Sequence, residues 1–313
     1  MLQSRKKLIE LILRQDKEIR RIYIEATDQL ARKIKDLDKI GAAYRIMEHL
    51  DEYLRFTSEA IESKLKSLFS SGLSISVEAG LHQSKQTTLS LLKRVKMDWQ
   101  PMERSYFRVH HEAVQAMEFR TLKGLNLSDR IWGQSQKVRA SMGTVIQEAI
   151  AAGEHPVRVA EMLQRYVRDG ANSLVTEYPN MMDRIGDGLP KDLSYESLRL
   201  ARTEMAAAYG EASVRSAELN PSNLGIQWSL SNAGVACSVC QDNAAHDSGL
   251  GRGVYKLEDL PDYPAHPNCL CNLSEVVENT DDFLERLVEW NANPHTHPDL
   301  ESWYQTVYKT GKL

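Results

Sequence analysis

The chain has 313 residues, of which 42% are hydrophobic and 26% charged, with a formal net charge of −4. That length suits about two domains, the composition is that of a folded chain, and the mildly acidic balance excludes a whole-chain nucleic-acid footprint. No run approaches about eighteen apolar residues, which excludes an evident membrane-spanning helix; Glu10 and Arg14 interrupt the apolar core a secretory signal requires.

The first forty residues are rich in cations, among them Arg5, Lys6, Lys7, Arg14, Lys17, Arg20 and Arg21, and the C-terminal part leans acidic. Solvated helix faces account for such runs more simply than two charged docking surfaces. The first proline is Pro101, and a hundred residues without one permit long helices. Ile12, Ile19 and Ala26 recur every seven residues beside Tyr23, Leu30 and Leu37, which predicts a long amphipathic helix ending near Gly41. Tyr44, Met47, Leu50, Leu54, Ile61, Leu65 and Leu68 continue the helical spacing as far as Gly72. The Ser71–Val77 stretch and Gly80 read as a break. Helix resumes over about Ser84–Trp99 and again from Pro101 to about Lys123.

Ser128 is expected to cap a helix towards Ala152 with Gly153 as its stop. Pro156 opens another helix that ends near Gly170. Such a pair could be a DNA-reading helix-turn-helix, but Glu161 and Asp169 sit among Arg158, Arg165 and Arg168. Asn172–Asp192, with two prolines and two glycines, reads as an ordered loop. Tyr195 to about Leu219 is a helix whose buried row, Leu198, Ala201, Met205, Ala208 and Ala212, is small enough to admit a close neighbour. On it, Arg202 and Glu204 point to opposite sides, and surface charge competes with contact to a neighbouring element as their role.

Gly225–Leu230 alternates, with Ile226, Trp228 and Leu230 on one face, and is the best strand in the chain. It runs towards Cys237. A second strand-like segment, Leu270 to Val277, leaves the last cysteines, and Val254–Tyr255 could add an edge strand to the loop over Asp242–Pro264. Antiparallel pairing of the two main strands is expected. Thr280 is expected to cap a final amphipathic helix, and the tail after Pro294 is weakly specified.

All four cysteines lie in Cys237-Ser-Val-Cys240 … His266-Pro-Asn-Cys269-Leu-Cys271. Two tight turns that each present two soft ligands suit a closed tetrahedral zinc site; a disulfide or redox pair is the competing reading, disfavoured in a reducing cytoplasm. One ligand set is Cys237, Cys240, His266 and Cys269, favoured for its tight His-Pro-Asn-Cys turn. Cys271 could replace His266 or Cys269, and His266 could instead hydrogen-bond a thiolate. Enzymatic readings lack their motifs. No His-x-Glu precedes a Pro-Cys-x-x-Cys as in zinc deaminases, and His110-His111-Glu112 is not a His-Glu-x-x-His. His246 in a loop and the His295-x-His297 pair offer no convincing nuclease centre. The chain is read as a non-enzyme.

Ala201-Arg202-Thr203-Glu204 on a helix, a strand with Trp228, Cys237-x-x-Cys240, a loop and Pro264-Ala-His266-Pro-Asn-Cys269-Leu-Cys271 together resemble the Mu-F-like minor head proteins of tailed bacteriophages, also called phage head morphogenesis proteins. The similarity covers about Leu127–Val277. It implies a minor capsid component of the virion near the portal, present in the host cytoplasm during assembly. Portal and major capsid proteins would be its partners, and packaged DNA, its packaging or its delivery a further association. No small-molecule substrate or membrane is implied. A zinc-stabilised DNA-binding module is the alternative, a metal-dependent nuclease a weaker one. The expected architecture is mainly α with a small antiparallel β element (α+β). It comprises an extended N-terminal helical domain over 1–127, a compact zinc-clipped domain over 128–279, and a C-terminal helix and tail over 280–313.

Overall fold

A computed structural model describes residues 3–38, 44–231 and 236–311. The fold is mainly helical with one small antiparallel sheet, as the sequence predicts. Its described elements are α1 (Gln3–Asp38), α2 (Tyr44–Arg94), α3 (Gln100–Phe119), α4 (Leu127–Ala151), α5 (Pro156–Asp169), α6 (Ala171–Glu177), α7 (Pro179–Ile185), α8 (Tyr195–Leu219), β1 (Asn223–Ser229), α9 (Ser238–Ala245), β2 (Val254–Tyr255), β3 (Asn272–Val277), α10 (Thr280–Ala292) and α11 (Pro298–Trp303). The predicted end of the first helix near Gly41 lies outside the described residues.

The chain forms two compact units. One comprises Met1–Ile12, Ser71–Phe119 and Arg202–Leu313, the other Leu13–Ser70 and Arg120–Ala201. Each gathers separated stretches, so neither coincides with 1–127, 128–279 or 280–313.

In the second of these units, Ile19, Tyr23, Ala26 and Leu30 of α1 are buried, as their spacing requires. The Tyr23 hydroxyl lies 2.7 Å from Ser197 Oγ, and burial pushes its pKa up to about 12. Arg168 of α5 donates to both carboxylate oxygens of Asp28 at 2.8 Å. The predicted cap of α4 is two residues late: Asn126 and Asp129 form a reciprocal capping box there. The Asn172–Asp192 segment is not a loop, since α6 and α7 occupy most of it. Two Gly-initiated or Pro-initiated helices of 7 residues each fit between turn residues that sequence reading takes as continuous coil.

The first unit holds the sheet, in the order β2-β1-β3 with both pairings antiparallel. β1 pairs β3 from Asn223 opposite Val277 to Ser229 opposite Asn272. Ile226 and Trp228 are buried on the core face, whereas Leu230 falls beyond the strand and is exposed. The break predicted over Ser71–Gly80 is absent, and α2 continues through it. Ser76, Gly80 and Ser84, four residues apart, line one side of that helix. A Cβ on Gly80 would lie 2.4 Å from the Tyr209 carbonyl oxygen and 2.8 Å from Ala212 Cβ. Ser76 Oγ donates to the Met205 carbonyl at 2.5 Å, and Ser84 Oγ to that of Ser216 at 2.6 Å. These small residues are the seat for α8, whose own row of Met205, Ala208 and Ala212 is fully buried.

The C-terminal stretch is better specified than its sequence suggests. Asn279, not Thr280, caps α10. Phe283, Leu287 and Trp290 of α10 pack with Leu91 and Leu300. Trp303 is also buried, its indole donating to the Leu219 carbonyl at 3.0 Å.

Candidate metal centre

The β1–β3 register dictates where the cysteines meet. The end of β1 at Ser229 lies beside the start of β3 at Asn272. The chain leaving β1 towards Cys237 and the chain entering β3 from Cys271 therefore emerge at the same end of the sheet.

Cys-x-x-Cys, read from sequence as a tight turn, opens a helix. Cys237 is the N-cap of α9, and its sulfur accepts the Cys240 amide at 3.5 Å. That hydrogen bond holds the Cys237 thiol below its ordinary pKa. Cys240, one turn in, faces a core of Ile226, Trp228, Tyr255, Cys269, Cys271 and Leu273. Burial pushes the Cys240 and Cys269 thiols up, because the low-dielectric core penalises an unpaired thiolate. A cation among the sulfurs reverses that balance.

The second arm is a turn. Asn268 adopts φ 61°, a left-handed conformation that asparagine tolerates better than most residues, and the Cys269 amide donates to the His266 carbonyl at 3.1 Å. This swings His266 and Cys269 to the same side. Cys240 Sγ lies 3.3 Å from His266 Nε2 and 3.7 Å from Cys269 Sγ.

All five predicted ligands are brought together, in two overlapping groups. Cys237, Cys240 and His266 form one, Cys240, Cys269 and Cys271 the other, and the donor atoms within each lie within 4.8 Å of one another. The cysteines are free thiols, and 3.7 Å far exceeds a disulfide bond of about 2.05 Å. In a tetrahedral site with usual metal–ligand lengths, two sulfurs stand about 3.8 Å apart and a sulfur and a nitrogen about 3.5 Å. The observed spacings match, so the cluster could hold a metal ion. Cys240 belongs to both groups and is central to any ligand set.

Around the cluster lie further residues whose part in it the cysteine spacing does not reveal. Thr203 Oγ1, on α8, accepts the Asn268 amide at 3.1 Å. The Tyr263 hydroxyl donates to the Cys271 carbonyl at 2.9 Å while its ring stands edge-on to Trp228, 5.3 Å between centroids. Gly210 makes room for that ring, since a Cβ there would meet it at 2.3 Å. On the same helix Glu204 is completely buried and so is not a surface charge, while Arg202 is half-buried.

Three of the other histidines are engaged elsewhere. His246 stacks on Tyr255, centroids 4.7 Å apart. His297 Nε2 lies 2.9 Å from Glu289 Oε2, and His110 Nε2 is 3.5 Å from Ser74 Oγ. None of them belongs to the groups of metal-competent side chains among the described residues. No helix among those residues is long and apolar enough to cross a membrane. Compared with known proteins, the chain matches no family model, no curated protein and no solved structure.

Proposed function

We propose that the protein is a non-enzymatic minor component of a tailed-phage head, acting near the portal in head assembly, with a structural zinc ion clipping its small sheet. The observation that carries the reading is convergence. Residues scattered over Thr203–Cys271, all within the segments that resemble Mu-F-like proteins, meet at one end of the sheet. A thiolate-rich set without carboxylates is the donor chemistry zinc takes in closed sites, which leave no position for substrate. Zinc there would hold α9 and the His266–Cys271 segment against β1 and β3, and the residues' role is to fix that geometry.

The DNA-binding alternative draws less support. Arg158, Arg165 and Arg168, the cations a reading helix would present, pair with Glu161, Glu177 and Asp28. On α1, Arg20 pairs with Asp192 and Arg21 with Glu18.

Two measurements test the proposal. Elemental analysis of freshly reduced protein should find about one zinc per chain, and none would sink the metal reading. Affinity-tagged protein expressed with portal and major capsid proteins should copurify with them and enter heads. Exclusion from heads, or salt-sensitive DNA binding in place of that copurification, would overturn the assembly role.

A further inference from the structure

The segment that carries Cys269 and Cys271 is held from outside as well as by its ligands. Arg5, in the first turn of α1, donates through Nη1 to the Cys271 carbonyl at 3.0 Å and through Nη2 to that of Leu270. Tyr263 donates to the same Cys271 carbonyl. Ser4 is buried with its Oγ 3.4 Å from the Tyr209 hydroxyl, which donates to the Leu273 carbonyl at 3.2 Å. Leu8 and Leu11 continue the buried face. The backbone of residues 270 and 271 is thus fastened to the start of α1, more than 250 positions away in the chain, by a charge-assisted fork.

We propose that the first turns of α1 form a latch on the metal centre, with Arg5 as its positioning residue, so that zinc binding and docking of this segment are one coupled equilibrium. The inference rests on the zinc reading above. Two features make Arg5 suited to the task. Its planar fork grips two successive carbonyls, orienting the peptide that bears Cys271. Its fixed positive charge, held on the backbone between Cys269 and Cys271, would also offset the negative charge that three or four thiolates leave on one divalent ion. By linkage, whatever Arg5 contributes to zinc affinity, zinc contributes equally to holding the latch.

The test compares full-length zinc-loaded wild type with Arg5→Ala, Arg5→Lys and Lys6→Ala in competition with a chromophoric zinc chelator. Lys6 is exposed, pairs with Glu10 and serves as the charge control. Loss of an outer partner typically weakens metal binding about 10–100-fold, so Arg5→Ala should lose zinc at least about tenfold more readily. Arg5→Lys should recover part of that loss, and Lys6→Ala should match wild type. Amide exchange on wild type needs no variant: stripping zinc should accelerate exchange over residues 7–12 about tenfold or more. Equal zinc affinity in wild type and Arg5→Ala, or exchange in that segment indifferent to zinc, overturns the latch while leaving the zinc reading intact. Wild type that takes up no zinc overturns both.

Discussion

Glu275 offers a quantitative check on the packing of the sheet. It lies on β3 opposite Ile226. Its Oε1 accepts from Asn220 Nδ2 at 2.9 Å and from Asn223 Nδ2 at 3.0 Å, while its Oε2 is buried and unpaired among the described residues. Burial raises the pKa from 4.5 to about 7, the asparagine hydrogen bonds offsetting part of the effect. The folded state therefore binds this proton more tightly than the unfolded chain does. Its contribution to stability is complete below the unfolded pKa and is lost as pH rises through the folded one. A shift of about 2.5 units corresponds to about 3 kcal/mol. Wild-type stability should therefore carry a component that falls by about that amount between pH 4 and pH 8. Glu275→Gln keeps the Oε1 acceptor and cannot ionise. Urea unfolding of both proteins across this range isolates the term as a difference, removing contributions from carboxylates such as Asp192 whose pKa is lowered. The gap between variant and wild type should shift by about 3 kcal/mol in favour of Gln as pH rises. A gap independent of pH would show that the carboxylate is solvated and the burial argument mistaken.

Cys240→Ser removes the one sulfur common to both ligand groups and should abolish stoichiometric zinc binding, whereas Cys271→Ser should retain it if His266 is the fourth ligand; elemental analysis reads both. Gly80→Ala places a methyl against the Tyr209 backbone and should cost about 1–3 kcal/mol by overpacking, measured by urea unfolding. Trp303→Ala should cost about 3–5 kcal/mol by the same measurement, because the indole is buried and bonded to Leu219; a near-neutral result would mean that the C-terminal helix does not pack.

Local patterns were the legible part of this sequence. Heptad-spaced apolar residues foretold α1, and alternation foretold the buried Ile226 and Trp228 of β1. Cysteine spacing foretold the cluster itself. What misled was chemistry with two meanings. Ser76 and Gly80 have poor helix propensity, and only the approach of α8 shows that their smallness serves packing. A similar ambiguity hides α9, because Cys237 can cap a helix as well as begin a turn. Arg5 and Thr203 reach the cluster across long stretches of chain, and such pairings leave no periodic mark. Within the Ala-Arg-Thr-Glu segment, the hydroxyl between the two charges also makes a contact, to the Asn268 amide.

The span between Cys240 and Cys269, 29 positions apart, bears on the order in which the sheet assembles. Bringing two such sites together in a flexible chain costs roughly 3 kcal/mol of closure entropy, a cost met before β1 and β3 can zip. A metal ion captured early would tie the loop first, making a distant pairing effectively local and lowering its contact order. Refolding of the sheet should therefore quicken when zinc is present from the start rather than added after collapse.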